Sequence, residues 1–402
     1  MLDIADEKGM FCGRILGDFG ADVIKVEPPG GSPAREIAPF YHDIPDPQKS
    51  LTWFAYNLNK RSITLNIETS DGQEIFKRLV KTAHFIIETF SPGYMDSISL
   101  GYDSLSKVNP GIIMASITPF GQTGPYKDDQ TSELIALATG GLLYLCGDPD
   151  GPPVRVNADV AYCSVGVQAA TAMMIAHHYR RLTGEGQYID VSVQECVTCV
   201  LWHAQQFWDL NKEIVNRLGK YIKGTPINAR TIYSCKDGAI SWQLLVAYQG
   251  DWTRYTVEWM EEEGMASDEL KSVKWEELDY ARLSADQLLK WENEFAKFFV
   301  TKTKAELYRE SMKRDVMLFP CNTMEDCLED EQLAARDFWV KVEHPELADT
   351  ITYPGAPLKL NEAPWQVWRR PPLIGEHNDE IYGSELGFSR QALDHLKELN
   401  VI

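Results

Sequence analysis

The apolar positions near the start of the chain repeat with the period of a helix. The spacing of Phe11, Ile15 and Leu16 places three apolar side chains on one side of the backbone. We therefore predict a helix over residues 9–19, which Gly20 ends.

Short β-rich runs follow this helix and alternate with amphipathic stretches. The predicted strands are residues 21–27, 61–67, 84–90 and 111–121. A helix is predicted over 70–83, with Ser70 as its N-cap. Strands that alternate with helices in this way predict an α/β fold, with a Rossmann-like parallel sheet covered by helices.

The loops after these strands are rich in glycine and proline. They read EPPGGSPAR, FSPGYM and FGQTGPY, and ligands of open α/β sheets bind at the carboxyl ends of the strands. None of them is a GxGxxG or Walker A motif, so a nicotinamide or nucleoside triphosphate site is unsupported. Several such loops at one edge still favour a nucleotide-like ligand.

The amino-acid composition changes at two points along the chain, and these changes predict three segments. Residues 1–204 form the first part of a large domain, 205–325 a smaller inserted domain rich in Trp, Glu and Lys, and 326–402 a return to the large domain.

Charge and composition narrow the class of partner. A formal net charge of −20 over 402 residues disfavours binding to nucleic acid or to an anionic membrane. The sequence has no run of 18 apolar residues, so no membrane span is predicted. The eight cysteines are scattered, except for Cys196 and Cys199 in one apolar helical stretch. No second ligand pair completes a zinc site, so we predict no metal, reduced core cysteines and a cytoplasmic location.

Seven segments, in chain order, carry a family resemblance. They are GADVIKVEPPGGSPAR, NLNKRSITLNI, SPGYMDSISLGYDSLSKVNPGIIMASITPFGQTGPY, GDPDGPPVRV, RRLTGEGQYIDVSVQE, CLEDEQLAARDFW and PLIGEHNDEI. Together they resemble the family III, or CaiB/BaiF, CoA-transferases. The resemblance implies a Rossmann-like large domain with an inserted α/β domain and an interlocked dimer. It also implies a short segment before Leu2, so we expect the natural start to lie upstream.

The activity that the resemblance implies is CoA transfer between carboxylic acids through an aspartyl nucleophile. In the family that Asp lies four residues before a small Gly, which is Gly166 here, so the expected position holds Tyr162. A phenol with a pKa near 10 is hardly ionised at neutral pH and forms no mixed anhydride. Asp159, three residues earlier, is either an N-cap or a replacement nucleophile.

Further positions depart from the family pattern around the acyl end. Thr89 replaces an Asn, and Asp96 and Ser97 stand where a basic residue is common. Ser132 precedes Glu133 where the family has a Tyr or His, which disfavours a racemase.

The CoA-nucleotide end resembles the family more closely. The resemblance assigns Arg35 to packing on adenine, for which a planar guanidinium is suited. Phe90 and Pro92 are expected to wall the pantetheine channel. The remaining candidates are Lys60, Arg61 and Gln122, each with a structural alternative: a solvated start of a strand for the two cations and a tight loop for the amide.

Three functions remain open. The first is a non-catalytic subunit paired with a paralogue that carries the Asp, as in heteromeric members such as the one that moves CoA from succinyl-CoA to benzylsuccinate, an aromatic dicarboxylate of anaerobic toluene degradation. The second is a self-sufficient homodimer that uses Asp159 or another acid. The third is a regulator that binds acyl-CoA without catalysis. Coenzyme A or its thioester and a small carboxylic acid are the ligands expected.

Overall fold

The structure, a computed structural model, describes residues 1–223, 227–355 and 357–402. The chain packs into two compact units. The first comprises residues 1–143, 155–214 and 332–402, and the second comprises 144–154 and 215–331. The predicted boundaries after residues 204 and 325 stay predictions, because compact packing does not show which segments fold independently.

A six-stranded parallel sheet forms the centre of the first unit. Its strands are β1 (Leu2–Asp3), β2 (Val23–Glu27), β3 (Lys60–Thr64), β4 (Phe85–Glu88), β5 (Ile113–Thr118) and β6 (Gln187–Ser192). Their order is β3-β2-β1-β4-β5-β6. The predicted Rossmann-like sheet is therefore confirmed, and its strand order reverses between β1 and β4, where such sheets bind ligands.

Helices cover both faces of this sheet. Along the chain, the helices before β6 are α1 (Met10–Asp18), α2 (Leu51–Tyr56), α3 (Ser70–Val80), α4 (Tyr94–Ser97), α5 (Tyr102–Val108), α6 (Glu133–Thr139), α7 (Leu142–Leu145) and α8 (Val160–Thr183); α9 (Val193–Cys199) and α10 (Trp202–Asn211) follow it. Those that pack on the sheet include α3 and α5 on one face and α1, α8 and α9 on the other. The N-cap of α3 is Thr69, whose hydroxyl accepts from the Gly72 amide at 3.0 Å, so the prediction of Ser70 was wrong by one residue. Cys196 is buried as predicted, whereas Cys199, at the last residue of α9, is exposed.

Helix α8 is the core helix of one face of the sheet. It is long and apolar enough to cross a membrane by length and composition, a test that core helices also pass. Val165, Ala169 and Met173 are buried against the sheet, in a cluster that includes Ile113. A Cβ at Gly166 would lie 3.0 Å from Phe11 Cβ, so the glycine lets α1 and α8 approach closely.

The second unit has its own aromatic core. Its elements are β7 (Tyr221–Ile222), β8 (Ala229–Arg230), β9 (Ile232–Cys235), β10 (Gly238–Trp242), α11 (Gly250–Glu262), α12 (Asp268–Ser272), α13 (Ala285–Phe299), α14 (Lys304–Lys313), β11 (Leu318–Pro320) and α15 (Met324–Leu328). Strands β11, β10 and β9 pair antiparallel, and Trp242 packs 4.5 Å from Phe295 between ring centroids.

The C-terminal segment completes the first unit. It contains α16 (Glu331–Ala335), the antiparallel pair β12 (Trp339–His344) and β13 (Asp349–Pro354), a π-helix at Asp379–Glu385, and α17 (Arg390–Glu398). Short 3₁₀ helices lie at Pro33–Glu36, Tyr41–Asp43, Ala247–Gln249, Trp275–Glu277, Tyr280–Arg282 and Pro345–Leu347. Leu393 and Leu396 of α17 join the core on the face of the sheet opposite α8.

Candidate active site at the start of helix α8

Tyr162 lies in the first turn of α8 with its side chain turned into the core. It is 9% exposed and belongs to the apolar cluster between α8 and the sheet. Burial is the main cause that raises its pKa well above 10, and the charges of Glu7, Asp6 and Glu133 raise it further. The phenol is therefore neutral, and four carboxyl side chains, including Asp159, act on it.

Asp159 occupies the N-cap position of α8, but its carboxylate caps nothing. It accepts a hydrogen bond from the Tyr56 hydroxyl at 3.2 Å instead. The cap comes from another helix, because Glu133 of α6 accepts from the Ala161 amide at 2.7 Å. The interpretation of Asp159 as a capping side chain is thus wrong, and the capping carboxyl lies 28 residues before Ala161.

A cavity of about 770 Å³ opens beside this end of the helix. Its lining residues are Tyr56, Ala158, Asp159, Val160, Cys163, Ser164, Val167 and Gln168. The Tyr56 hydroxyl lies 3.7 Å from the Cys163 sulfur, and burial raises the pKa of both groups. Asp159 and Cys163 share this cavity, whereas Tyr162 points away from it. Asp159 and Cys163 are one helical turn apart and therefore lie on the same side of α8, whereas Tyr162 faces the core.

Glu133 carries a second oxygen with no hydrogen-bond partner among the described residues. Its Oε2 atom is buried, and burial raises the pKa of the carboxyl. Glu7 also has a raised pKa through burial. Sequence reasoning missed Glu7, Tyr56 and the capping role of Glu133, because these contacts join distant segments and no spacing rule reports them.

Replacing Glu133 by Ala is expected to lower the free energy of unfolding by about 1 kcal/mol, the usual cost of losing a capping side chain. Asp159→Ala should cost less, because it removes one hydrogen bond from Tyr56 and no cap. Urea unfolding of both variants checks this, and a larger loss for Asp159→Ala would contradict the assignment of the cap.

The cationic candidates of the nucleotide end are buried in ion pairs. Arg35 is 1% exposed; its guanidinium donates to both Glu27 oxygens at 2.6 and 2.8 Å and stacks 3.7 Å from the Trp53 ring centroid. The resemblance assigned Arg35 to packing on adenine, but Trp53 covers one face of its guanidinium.

Lys60 and Arg61 are equally enclosed, so their interpretation as a solvated start of β3 is wrong. Lys60 donates to Asp3 at 2.8 Å and to Met10 O and Asn57 at 2.9 Å. Arg61 is bonded to Asp22 and to Glu380 and Glu385 of the C-terminal segment. The two residues begin β3, in which every position is buried. A buried charge is stable only when ion-pair and hydrogen-bond partners compensate it.

A crevice of about 450 Å³ lies at the carboxyl ends of β1 to β4, the expected ligand edge. Its lining includes Lys25, Glu27, Glu68, Phe90 and Tyr94, with the Phe90 and Tyr94 rings 4.7 Å apart between centroids. A neighbouring cavity of about 240 Å³ shares Phe90 and adds Pro92. The two predicted channel residues therefore lie together.

Gln122 lies elsewhere, in a third cavity of about 350 Å³ with Glu88, Tyr102 and Tyr188. Its backbone amide donates to Asp190 at 3.0 Å. Glu88 is buried at the end of β4, and burial raises its pKa from 4.5 to about 7. The charges of Asp6 and Asp96 raise this pKa further, while hydrogen bonds from Ser116 and the Phe90 amide oppose the shift.

Glu88 is expected to make stability depend on pH. Its folded-state pKa lies above the unfolded value, so its contribution is fully present below pH 4.5 and is lost as pH rises to about 7. Glu88→Gln, which cannot ionise, should therefore gain about 3 kcal/mol relative to wild type between pH 4.5 and 8. Denaturant unfolding at several pH values measures this difference. Asp103→Asn, at an exposed acid of the same cavity, is the control; an equal gain there would contradict the assignment.

Comparisons with known proteins show the family and agree with the fold. The chain matches the family described as CoA-transferase family III over residues 7–378. It is 35% identical to the succinyl-CoA:(R)-benzylsuccinate CoA-transferase subunit BbsE of Thauera aromatica, over 100% of this chain and 97% of that protein. It is 30% identical to the succinyl-CoA–L-malate CoA-transferase beta subunit of Chloroflexus aurantiacus, over 98% and 94%. A crystal structure of a CaiB/BaiF family protein from Brucella suis superposes with a TM-score of 0.80 at 27% identity, over 95% of this chain and 97% of that one.

Proposed function

Since this chain belongs to CoA-transferase family III, we propose that it is the subunit without a nucleophile in a heteromeric enzyme of that family. The observation that carries the proposal is Tyr162, a buried and neutral phenol at the position that the resemblance assigns to the nucleophilic Asp. The paired paralogue supplies the aspartate.

The chemistry explains why this substitution matters. A carboxylate attacks the thioester carbonyl, the carbon–sulfur bond breaks, CoA leaves as a thiolate and a mixed anhydride forms. The attacking group must be ionised, and burial keeps Tyr162 protonated. The carboxyls of Asp6, Glu7 and Glu133 also disfavour an anionic substrate beside it.

The relatives support a partner of the same family. The Thauera and Chloroflexus proteins are both named as subunits. Exposed apolar side chains lie at near-heptad spacing on α8: Val167, Met174, Ile175 and Leu182. Trp208 and Leu210 of α10 are exposed as well. An apolar stripe of this length is typical of an interaction surface, and we propose that a paralogous chain covers it in an interlocked dimer.

The substrates follow from the same comparison. We propose succinyl-CoA as the donor and an aromatic dicarboxylate as the acceptor, by analogy with the Thauera protein, in the cytoplasm. In the described parts of the chain no group of His, Cys, Asp or Glu could hold a metal, and the proposed reaction uses none.

A second candidate is a self-sufficient homodimer, because Asp159 lines the 770 Å³ cavity and is positioned by the Tyr56 hydroxyl. It would use Asp159 as the nucleophile.

The purified chain alone is expected to transfer CoA from succinyl-CoA at less than about 10⁻³ of the rate of the complex with its paralogue. Discontinuous assay of acyl-CoA products by chromatography measures both rates. Ordinary turnover by the chain alone, abolished by Asp159→Ala, would instead establish the homodimeric alternative.

A further inference from the structure

The crevice at the carboxyl ends of β1 to β4 has the position expected of a nucleotide site in such a sheet, but it lacks the positive charge that phosphate groups need. We infer that this crevice repels the phosphate groups of CoA. The pair formed by this chain and its paralogue would then bind one CoA rather than two. The inference rests on the proposed function, because it concerns which of two related crevices takes the CoA.

The cationic side chains near the crevice are already bound to other groups of the protein. Lys25, the lysine in its lining, is 1% exposed and donates to Asp3 at 3.0 Å and to the Ala5 carbonyl. Arg35 is closed between Glu27 and Trp53. Releasing either cation to a phosphate would leave a buried carboxylate unpaired, which costs more than an exposed phosphate contact returns.

Carboxylates face the crevice instead. Asp6, Glu27 and Glu68 all line it. Glu27 is paired with Arg35 and Asp6 with Lys8, whereas Glu68 has no ion-pair partner among the described residues. Glu68 is exposed and accepts a hydrogen bond from the Tyr94 hydroxyl at 3.1 Å, which holds its charge at the crevice. CoA carries a diphosphate and a ribose phosphate, so it meets like charge where a phosphate site needs cations or free amides.

The neighbouring cavity does not reverse this balance. Lys8 and Lys127 line it, but so do Asp6, Asp128 and Asp129. Lys8 is ion-paired with Asp6, and Lys127 is followed directly by the two other acids. Taken together, the linings of the two cavities contain more carboxylates than lysines. They therefore carry no net positive charge that would attract the phosphates.

Titration calorimetry on the full chain and on its complex with the paralogue tests the inference, with CoA and with pantetheine, which lacks the phosphates. We expect no saturable CoA binding to this chain below about 1 mM and one CoA per pair in the complex. Two CoA molecules per pair, or micromolar binding by this chain alone, would overturn the inference.

Reversing the charge of Glu68 at the edge of the crevice provides a second, independent test. Glu68→Lys is expected to give saturable CoA binding to this chain with a Kd of about 0.1 mM or lower, at least about tenfold tighter than the limit expected for wild type. The matched Glu68→Gln should bind CoA more weakly than Glu68→Lys, and binding of pantetheine should not change. An unchanged CoA affinity in Glu68→Lys would contradict the repulsion. If the pair binds two CoA molecules but only the paralogue becomes acylated, this inference fails and the proposed function stands; turnover by this chain alone would refute the proposed function whatever the stoichiometry.

Discussion

Replacing Tyr162 by Phe is expected to leave the kcat of the paired enzyme within about twofold, whereas Ala at the paralogue's aspartate lowers kcat at least about 10³-fold. The phenol is buried among apolar side chains, and its oxygen contributes no ionisable nucleophile. Phe keeps the ring and its place in the apolar cluster between α8 and the sheet. Steady-state kinetics of the two complexes, each with one altered chain, provide the comparison.

Asp159→Ala in this chain is the matched control for that experiment. It removes the one carboxylate that lines the 770 Å³ cavity among the described residues, and it should also leave kcat within about twofold. A loss of about 10³-fold in Tyr162→Phe or in Asp159→Ala would place a catalytic group in this chain and contradict the proposal.

Replacing Asp3 by Asn is expected to destabilise the protein by about 3–5 kcal/mol, the largest stability loss that we predict. The Asp3 carboxylate is fully buried between Lys25 at 3.0 Å and Lys60 at 2.8 Å. These two ammonium groups hold the pKa of Asp3 below its ordinary value, against the desolvation that would raise it. The amide leaves two buried cations without a counter-charge at the join of β1, β2 and β3. Chemical denaturation at neutral pH measures the loss.

Asp22→Asn is the control for this network. Asp22 pairs with Arg61, but its side chain is 66% exposed and Arg61 keeps Glu380 and Glu385 as partners. The loss should stay below about 1 kcal/mol, as for other exposed pairs. Equal losses in the two variants would contradict the role of burial.

The alternation of short β-rich runs with amphipathic stretches was enough to predict a parallel sheet, because parallel strands need helical connections between them. The strand predicted at 84–90 contains β4, and the one predicted at 61–67 overlaps β3, which begins one residue earlier at Lys60. The chemistry of charged residues was harder to predict. Lys60 and Arg61 begin a strand in an NKRS sequence that suggests solvent, but their partners Asp3 and Glu380 lie 57 and 319 residues away. Only tertiary structure brings such partners together.

The candidate site shows the same division. The resemblance assigned Tyr162 to the nucleophile position from its spacing to Gly166, and both residues lie in α8. The assignment itself stays a prediction. The capping of α8 by Glu133 and the bond from Tyr56 to Asp159 join different helices, so local propensity does not report them. Arg35 is the residue for which the resemblance and the structure differ most: a guanidinium assigned to a ligand is stacked on Trp53.

The most direct test of the central claim is to find which chain carries the acyl group. The complex with the paralogue is mixed with succinyl-CoA, quenched in acid within one turnover, and each chain is weighed by intact mass spectrometry. We expect a succinyl adduct on the paralogue and an unmodified mass for this chain. An adduct on this chain, mapped to Asp159 or to any other acid, would contradict it.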